Sequence, residues 1–89
     1  MKTINRKDFA RARVHTHVTP GEALKMLREL QALSQNDLAD LSGISQSNIS
    51  ALENGSRQIG RERALVLAKA LRVHPAVLLF PDFDMNEVA

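Results

Sequence analysis

The chain has 89 residues and a formal net charge of +2, which is enough chain for one domain and too little for two. It has no cysteine, which removes disulfides and Cys-based zinc sites and fits a reducing cytosol, so a cytoplasmic protein is expected. No apolar run approaches the roughly 18 residues of a membrane span, and the basic N-terminus lacks the apolar stretch of a secretory signal.

The charge is unevenly spread. Residues 1–18 hold Lys2, Arg6, Lys7, Arg11 and Arg13 against Asp8 alone, whereas 82–89 hold Asp82, Asp84 and Glu87 and no base. A basic head favours a polyanion, either nucleic acid or an acidic protein surface. Hydrophobic residues make up 44% of the chain and aromatics only 3%, so the core must be built from Leu, Ile, Val and Ala. That mixture suits packed helices. A domain this small buries only about two-thirds of its unfolded surface and gains from association.

Residues 1–18 have weak periodicity and few large apolar groups, and they read as a flexible arm. His15 and His17 in this arm lack a third ligand, so no metal is expected, nor any other cofactor. The first helix begins at "TPGE". Thr19 is an N-cap, Pro20 suits the first helical position, and Glu22 completes a capping box. Leu24, Leu27, Arg28 and Leu30 then recur at helical spacing, and the helix is expected over 20–32.

Ser34 caps a second helix with Asp37 three residues on. Leu38, Ala39 and Leu41 are its expected inner stripe, and Gly43 closes it in a left-handed conformation. Ser45 caps a third helix that ends at Asn54-Gly55. Residues 56–60 form a loop. The fourth helix runs from Arg61 to Leu71 with Ala64, Leu67, Ala68 and Leu71 on one face. His74-Pro75 starts a short fifth helix, and Pro81 stops it. The expected architecture is all-α, with a five-helix domain over 19–81, the arm before it and a short acidic tail over 82–89.

The second and third helices are separated by Gly43, Ile44 and the capping Ser45. So tight a joint forces a steep crossing, as in a helix-turn-helix, and projects the second of the pair from the body. Helix 3 opens with Gln46, Ser47, Asn48 and Ser50, with Ala51 one turn beyond Ser47. Glutamine can pair bidentately with adenine, Ser and Asn can reach base edges or phosphates, and an alanine methyl can meet thymine. A solvated polar face is the plainer use of the same residues. Arg61 and Arg63 at the start of helix 4 can touch phosphate or simply face water.

The segment "LSQNDLADLSGISQSNISALENG", Leu33 to Gly55, continued by "LAKALRVHPAVLL", resembles the Xre-type family of phage-repressor-like helix-turn-helix regulators over roughly residues 20–80. The resemblance implies a dimeric, sequence-specific repressor of double-stranded DNA with no enzymatic activity. It places Gln35 at a position that binds phosphate and braces the reading helix. It places Gln46, Ser47, Asn48 and Ala51 at base-reading positions, and Asn54 and Arg57 against the DNA backbone. It also pairs Arg28 with Glu53, an inward carboxylate that is costly unless neutralised. One departure stands out. The leading face of helix 3 carries no Arg or Lys for guanine, so a bias toward A·T pairs is expected.

"PAVLLFPDF" has more apolar surface than so short a helix can bury. Leu78 and Leu79 can close the core, and Val77, Leu79 and Phe80 can form the seam of a homodimer. Such a dimer would set two reading helices about 34 Å apart on an inverted repeat. Small members of the family with a terminal extension resemble antitoxins of the HigA type. That implies an autoregulating antitoxin whose arm or tail binds a toxin protein. The alternatives are an inhibitor for which DNA binding is secondary, and a plain repressor with no toxin.

Overall fold

Capping chemistry sets the element boundaries of the computed structural model, which describes residues 18–82. Five helices follow one another: α1 Pro20–Leu30, α2 Gln35–Ser42, α3 Gln46–Glu53, α4 Arg61–Leu71 and α5 Ala76–Leu79. No described helix is long and apolar enough to cross a membrane.

At α1, the Thr19 hydroxyl accepts from the Glu22 N–H, and the Glu22 carboxylate accepts from the Thr19 N–H. Ser34 and Asp37 make the same reciprocal pair at α2. At α3 the Ser45 hydroxyl accepts from the Asn48 N–H. Each box satisfies two N–H groups that a helix start would leave without partners. Gly43 ends α2 at φ 76°, a left-handed conformation in which an L side chain is strained.

The core is aliphatic. Leu24, Leu38, Ile49, Leu52, Leu67, Leu71 and Leu78 are fully buried, and Ala64 and Ala68 fill the gaps between them. Helix α1 packs on α3 and α5, α2 packs on α3 and α4, and α4 packs on α5. Ile59, in the loop before α4, plugs the same core. The two ends of the described chain meet where the Val18 N–H donates to the Asp82 carboxylate at 2.7 Å.

Three expectations are corrected. Helix α1 stops at Leu30, short of Ala32, because Ala32 takes φ 56° and turns the chain toward α2. Leu30, spaced as if on the α1 stripe, is 80% exposed in the last turn. Leu41 points outward and is 59% exposed. Eight residues make barely two turns, and α2 buries only Leu38 fully, with Ala39 packed beside it.

Positive φ gives a reciprocal test. A Cβ at Gly43 meets nothing within 4 Å, so its cost is conformational alone. Gly43→Ala should destabilise by about 1 kcal/mol. Ala32→Gly should stabilise by about 0.5 kcal/mol, since it relieves the same strain. Urea denaturation of the two variants checks both signs.

Candidate nucleic-acid interface

Helix α3 stands on two neighbours. Its inner face, Ile49 and Leu52, enters the core, and with them goes Glu53, whose side chain is almost fully covered. Glu53 does not stand alone. Arg28 on α1 donates through Nε to Oε2 at 2.7 Å and through Nη2 to Oε1 at 3.0 Å. The third nitrogen, Nη1, donates to the Leu33 carbonyl at 2.7 Å and fixes the α1–α2 connection. The hydrogen bond to Glu53 raises the Arg28 pKa while burial opposes it, so the guanidinium stays charged. A bidentate fork of this kind fixes direction as well as distance.

The network continues outward. Gln35 at the start of α2 donates through Nε2 to Glu53 Oε1 at 3.1 Å. Its own Oε1 accepts from Gln46 Nε2 at 2.6 Å. A continuous hydrogen-bonded path therefore runs from the buried pair to the first residue of α3. The carboxylate can only accept, so the Gln35 amide must present its N–H side inward and its oxygen to Gln46.

Around Gln46 the outer face of α3 is short and polar. Gln46 and Ser47 are exposed; Asn48, Ser50 and Ala51 are half-buried. The Ser45 and Ser47 hydroxyls lie 3.3 Å apart. After α3, the Asn54 side-chain oxygen accepts from both the N–H and the hydroxyl of Ser56. The Arg57 N–H returns to the Ala51 carbonyl at 3.2 Å, and the Arg57 side chain is exposed. Arg61 is exposed and Arg63 half-buried at the start of α4.

Gln35 and Gln46 are thus joined at the start of α3, with Ser47 exposed on its first turn and Arg57 exposed in the loop that follows it. Val77, Leu79 and Phe80 lie elsewhere, on α5 and just beyond it: Val77 and Phe80 are exposed, and Leu79 packs partly against the core. His15, His17, the rest of the arm to residue 17 and the tail from 83 lie outside the described residues.

Sequence reasoning missed two features. One is how Gln35, which the resemblance implied would brace α3, does so: only distance reveals the path from Gln46 through it to Glu53. The other is an apolar groove of about 580 Å³ between α1 and α5, where Met26 and Leu30 join Val77, Phe80 and Pro81. The clue to the groove was the surplus of leucine and methionine at the end of α1.

Two short helices joined by a tight turn with a left-handed Gly43, the second with a polar, exposed start, together define a helix-turn-helix domain. Residues 24–78 match the helix-turn-helix family model, and the chain belongs to this Xre-like family. It is similar to the HTH-type transcriptional repressor RghR of Bacillus subtilis, 38% identical over 69 residues, which are 76% of this chain and 51% of that protein. It is also similar to the competence pilus inhibition repressor of Acinetobacter baylyi, 46% identical over 50 residues, 56% of this chain and 46% of that protein. The chain spans about half the length of these curated relatives. Among solved structures, the restriction-modification controller protein C.AhdI from Aeromonas hydrophila superposes with a TM-score of 0.65 at 39% identity. That match covers 68% of this chain and 92% of that one.

Two measurements test the electrostatics. Arg28→Ala strands a buried carboxylate and should cost about 3–5 kcal/mol, seen as a large drop in melting temperature. The second concerns pH. The Ser34 backbone N–H, and after it the Ser34 side chain, hold the Asp37 carboxyl below its usual value. A folded value below the unfolded one gives stability that is present above the unfolded value and lost as pH falls through the folded one. The melting temperature should therefore fall on acidification below about pH 4, the ordinary aspartate value, and Asp37→Asn should remove part of that slope.

Proposed function

We propose that this chain is a sequence-specific DNA-binding transcriptional repressor that acts as a homodimer on an inverted-repeat operator. The observation that carries the reading is Gln46, held by Gln35 at the exposed start of α3 while hydrogen-bonded through it to the buried Arg28–Glu53 pair. A groove reader needs side chains whose donors and acceptors are fixed before the duplex arrives, so that little ordering remains to oppose binding.

In this reading Gln46, Ser47, Asn48, Ser50 and Ala51 face the major groove. Gln35, Asn54 and Arg57 meet phosphates on either side, and the N-terminal amides of α3 favour the same anions. Two curated relatives named as repressors support regulation by DNA binding. With no Arg or Lys on the leading face of α3, the bases it reads are biased toward A·T pairs.

The apolar groove between α1 and α5 supports association of two copies. Phe80 is 63% exposed and Val77 41% exposed at its rim, an unfavourable arrangement for a lone domain in water. The toxin-neutralising role implied by the HigA-type resemblance falls on the arm and the tail. Residues 1–17 and 83–89 lie outside the described residues, and the proposal rests on the core alone.

Selection from random DNA tests the reading. The protein should enrich an inverted repeat with A·T-biased half-sites; a G-rich half-site, or no enrichment, contradicts it. Gln46→Ala should then weaken operator binding by about 10- to 100-fold with the melting curve little changed. Phe80→Asp should give a monomer in sedimentation and lose operator affinity with it.

A further inference from the structure

Gly21 is buried in the first turn of α1. A Cβ at this position would stand 2.3 Å from the Leu52 carbonyl oxygen and 2.8 Å from that of Glu53. Both obstacles are backbone, so no side-chain rotation relieves them. Both carbonyls belong to the last turn of α3, where a helix leaves its C=O groups without partners further along the chain. The N-terminal end of α1 therefore sits directly on the C-terminal end of α3. The positive end of one helix dipole meets the negative end of the other.

Gly21 and Arg28 are seven residues apart and share one face of α1, the face turned to α3. Arg28 draws in the Glu53 side chain, and Gly21 lets the α1 backbone close onto the α3 backbone beside it. At its other end α3 is held by the bond from Gln46 to Gln35. These contacts fix the angle at which an eight-residue helix leaves the body. Glycine weakens a helix relative to alanine. Close approach is what a side chain at this position would prevent.

We infer that Gly21 is a positioning residue for the reading helix, a role that rests on the DNA-reading function proposed above. A methyl group here must push the C-terminal end of α3 away from α1 and tilt the helix about its anchored start. Ser47, Ser50 and Ala51 have short side chains with no slack to follow a displaced groove wall. Arg57, long and flexible, keeps its reach to phosphate. Discrimination between sequences should therefore suffer more than general affinity for DNA.

The experiment compares Gly21→Ala with the wild type and with Leu67→Ala, a core truncation on α4, the helix that packs on α2 and α5. Two duplexes are used at one salt concentration: the one that wild type enriches from random DNA, and a scrambled version of equal composition. Amide spectra of the free proteins are recorded as well.

Gly21→Ala should fold, with its largest amide shifts beyond position 21 itself at Leu52, Glu53 and Asn54. Affinity for the selected duplex should fall about tenfold or more while affinity for the scrambled duplex stays within about twofold. Leu67→Ala should lose stability yet keep its ratio of the two affinities. The inference is overturned if the ratio is unchanged in Gly21→Ala, or if it falls as far in Leu67→Ala. It is also overturned if Gly21→Ala does not fold, since the glycine then serves folding rather than aim. Wild-type protein that binds both duplexes equally would end the repressor reading instead, and the amide shifts would still decide whether Gly21 seats α3.

Discussion

A buried carboxylate has to be neutralised, and in this domain the neutralisation of Glu53 ties α1, α2 and the exposed start of α3 together. Arg28 uses its Nε and Nη2 on Glu53 and its Nη1 on the Leu33 carbonyl. One side chain on α1 thereby fixes both the inclination of α3 and the point where the chain enters α2. The interaction is worth little as net stabilisation, because desolvating two charges offsets most of their attraction. Its contribution is directional. An aliphatic core of leucine and isoleucine resists separation of the helices but discriminates weakly between nearby packing angles. The fork between a guanidinium and a carboxylate does discriminate.

From Glu53 the same constraint travels to the surface. An ionised carboxylate accepts and never donates, which orients the Gln35 amide, which in turn orients the amide of Gln46. Helix α3 thus has its first side chain already turned. At the opposite end of α3 the seat on α1 is set by backbone contact at Gly21, where even one carbon atom would intrude. This short helix is aimed by polar and steric devices at its two ends, and hydrophobic burial of Ile49 and Leu52 in the middle holds it down.

Much of this was legible in the chain. The boxes at Thr19 and Ser34, the cap at Ser45 and the left-handed Gly43 follow from local chemistry that needs only neighbouring residues, and they stand where the sequence puts them. The resemblance joined Arg28 to Glu53 across 25 positions; periodicity alone marked them only as two charged residues on apolar faces. The end of α1 was not legible, because Ala32 has no local reason to take a positive φ and does so to turn the chain into α2. Leu30 and Leu41 misled for a related reason. Helical spacing identifies a face but not whether a neighbour covers it, and two leucines near helix ends project past the core. The Gln35–Gln46 bond and the Gly21 contact join residues on different helices, and no spacing rule announces them.

If Arg28 and Glu53 are there to aim α3 and not to hold the fold together, the two roles separate when both charges are removed together. The direct measurement is the ratio of operator to scrambled-duplex affinity for the double variant Arg28→Met/Glu53→Leu, taken with its melting temperature. The account predicts a melting temperature near that of the wild type, since packed apolar side chains commonly replace a buried ion pair without loss. It predicts at the same time a marked fall in discrimination, because Gln35 no longer has a carboxylate to orient it. A double variant that discriminates as sharply as the wild type would contradict the account.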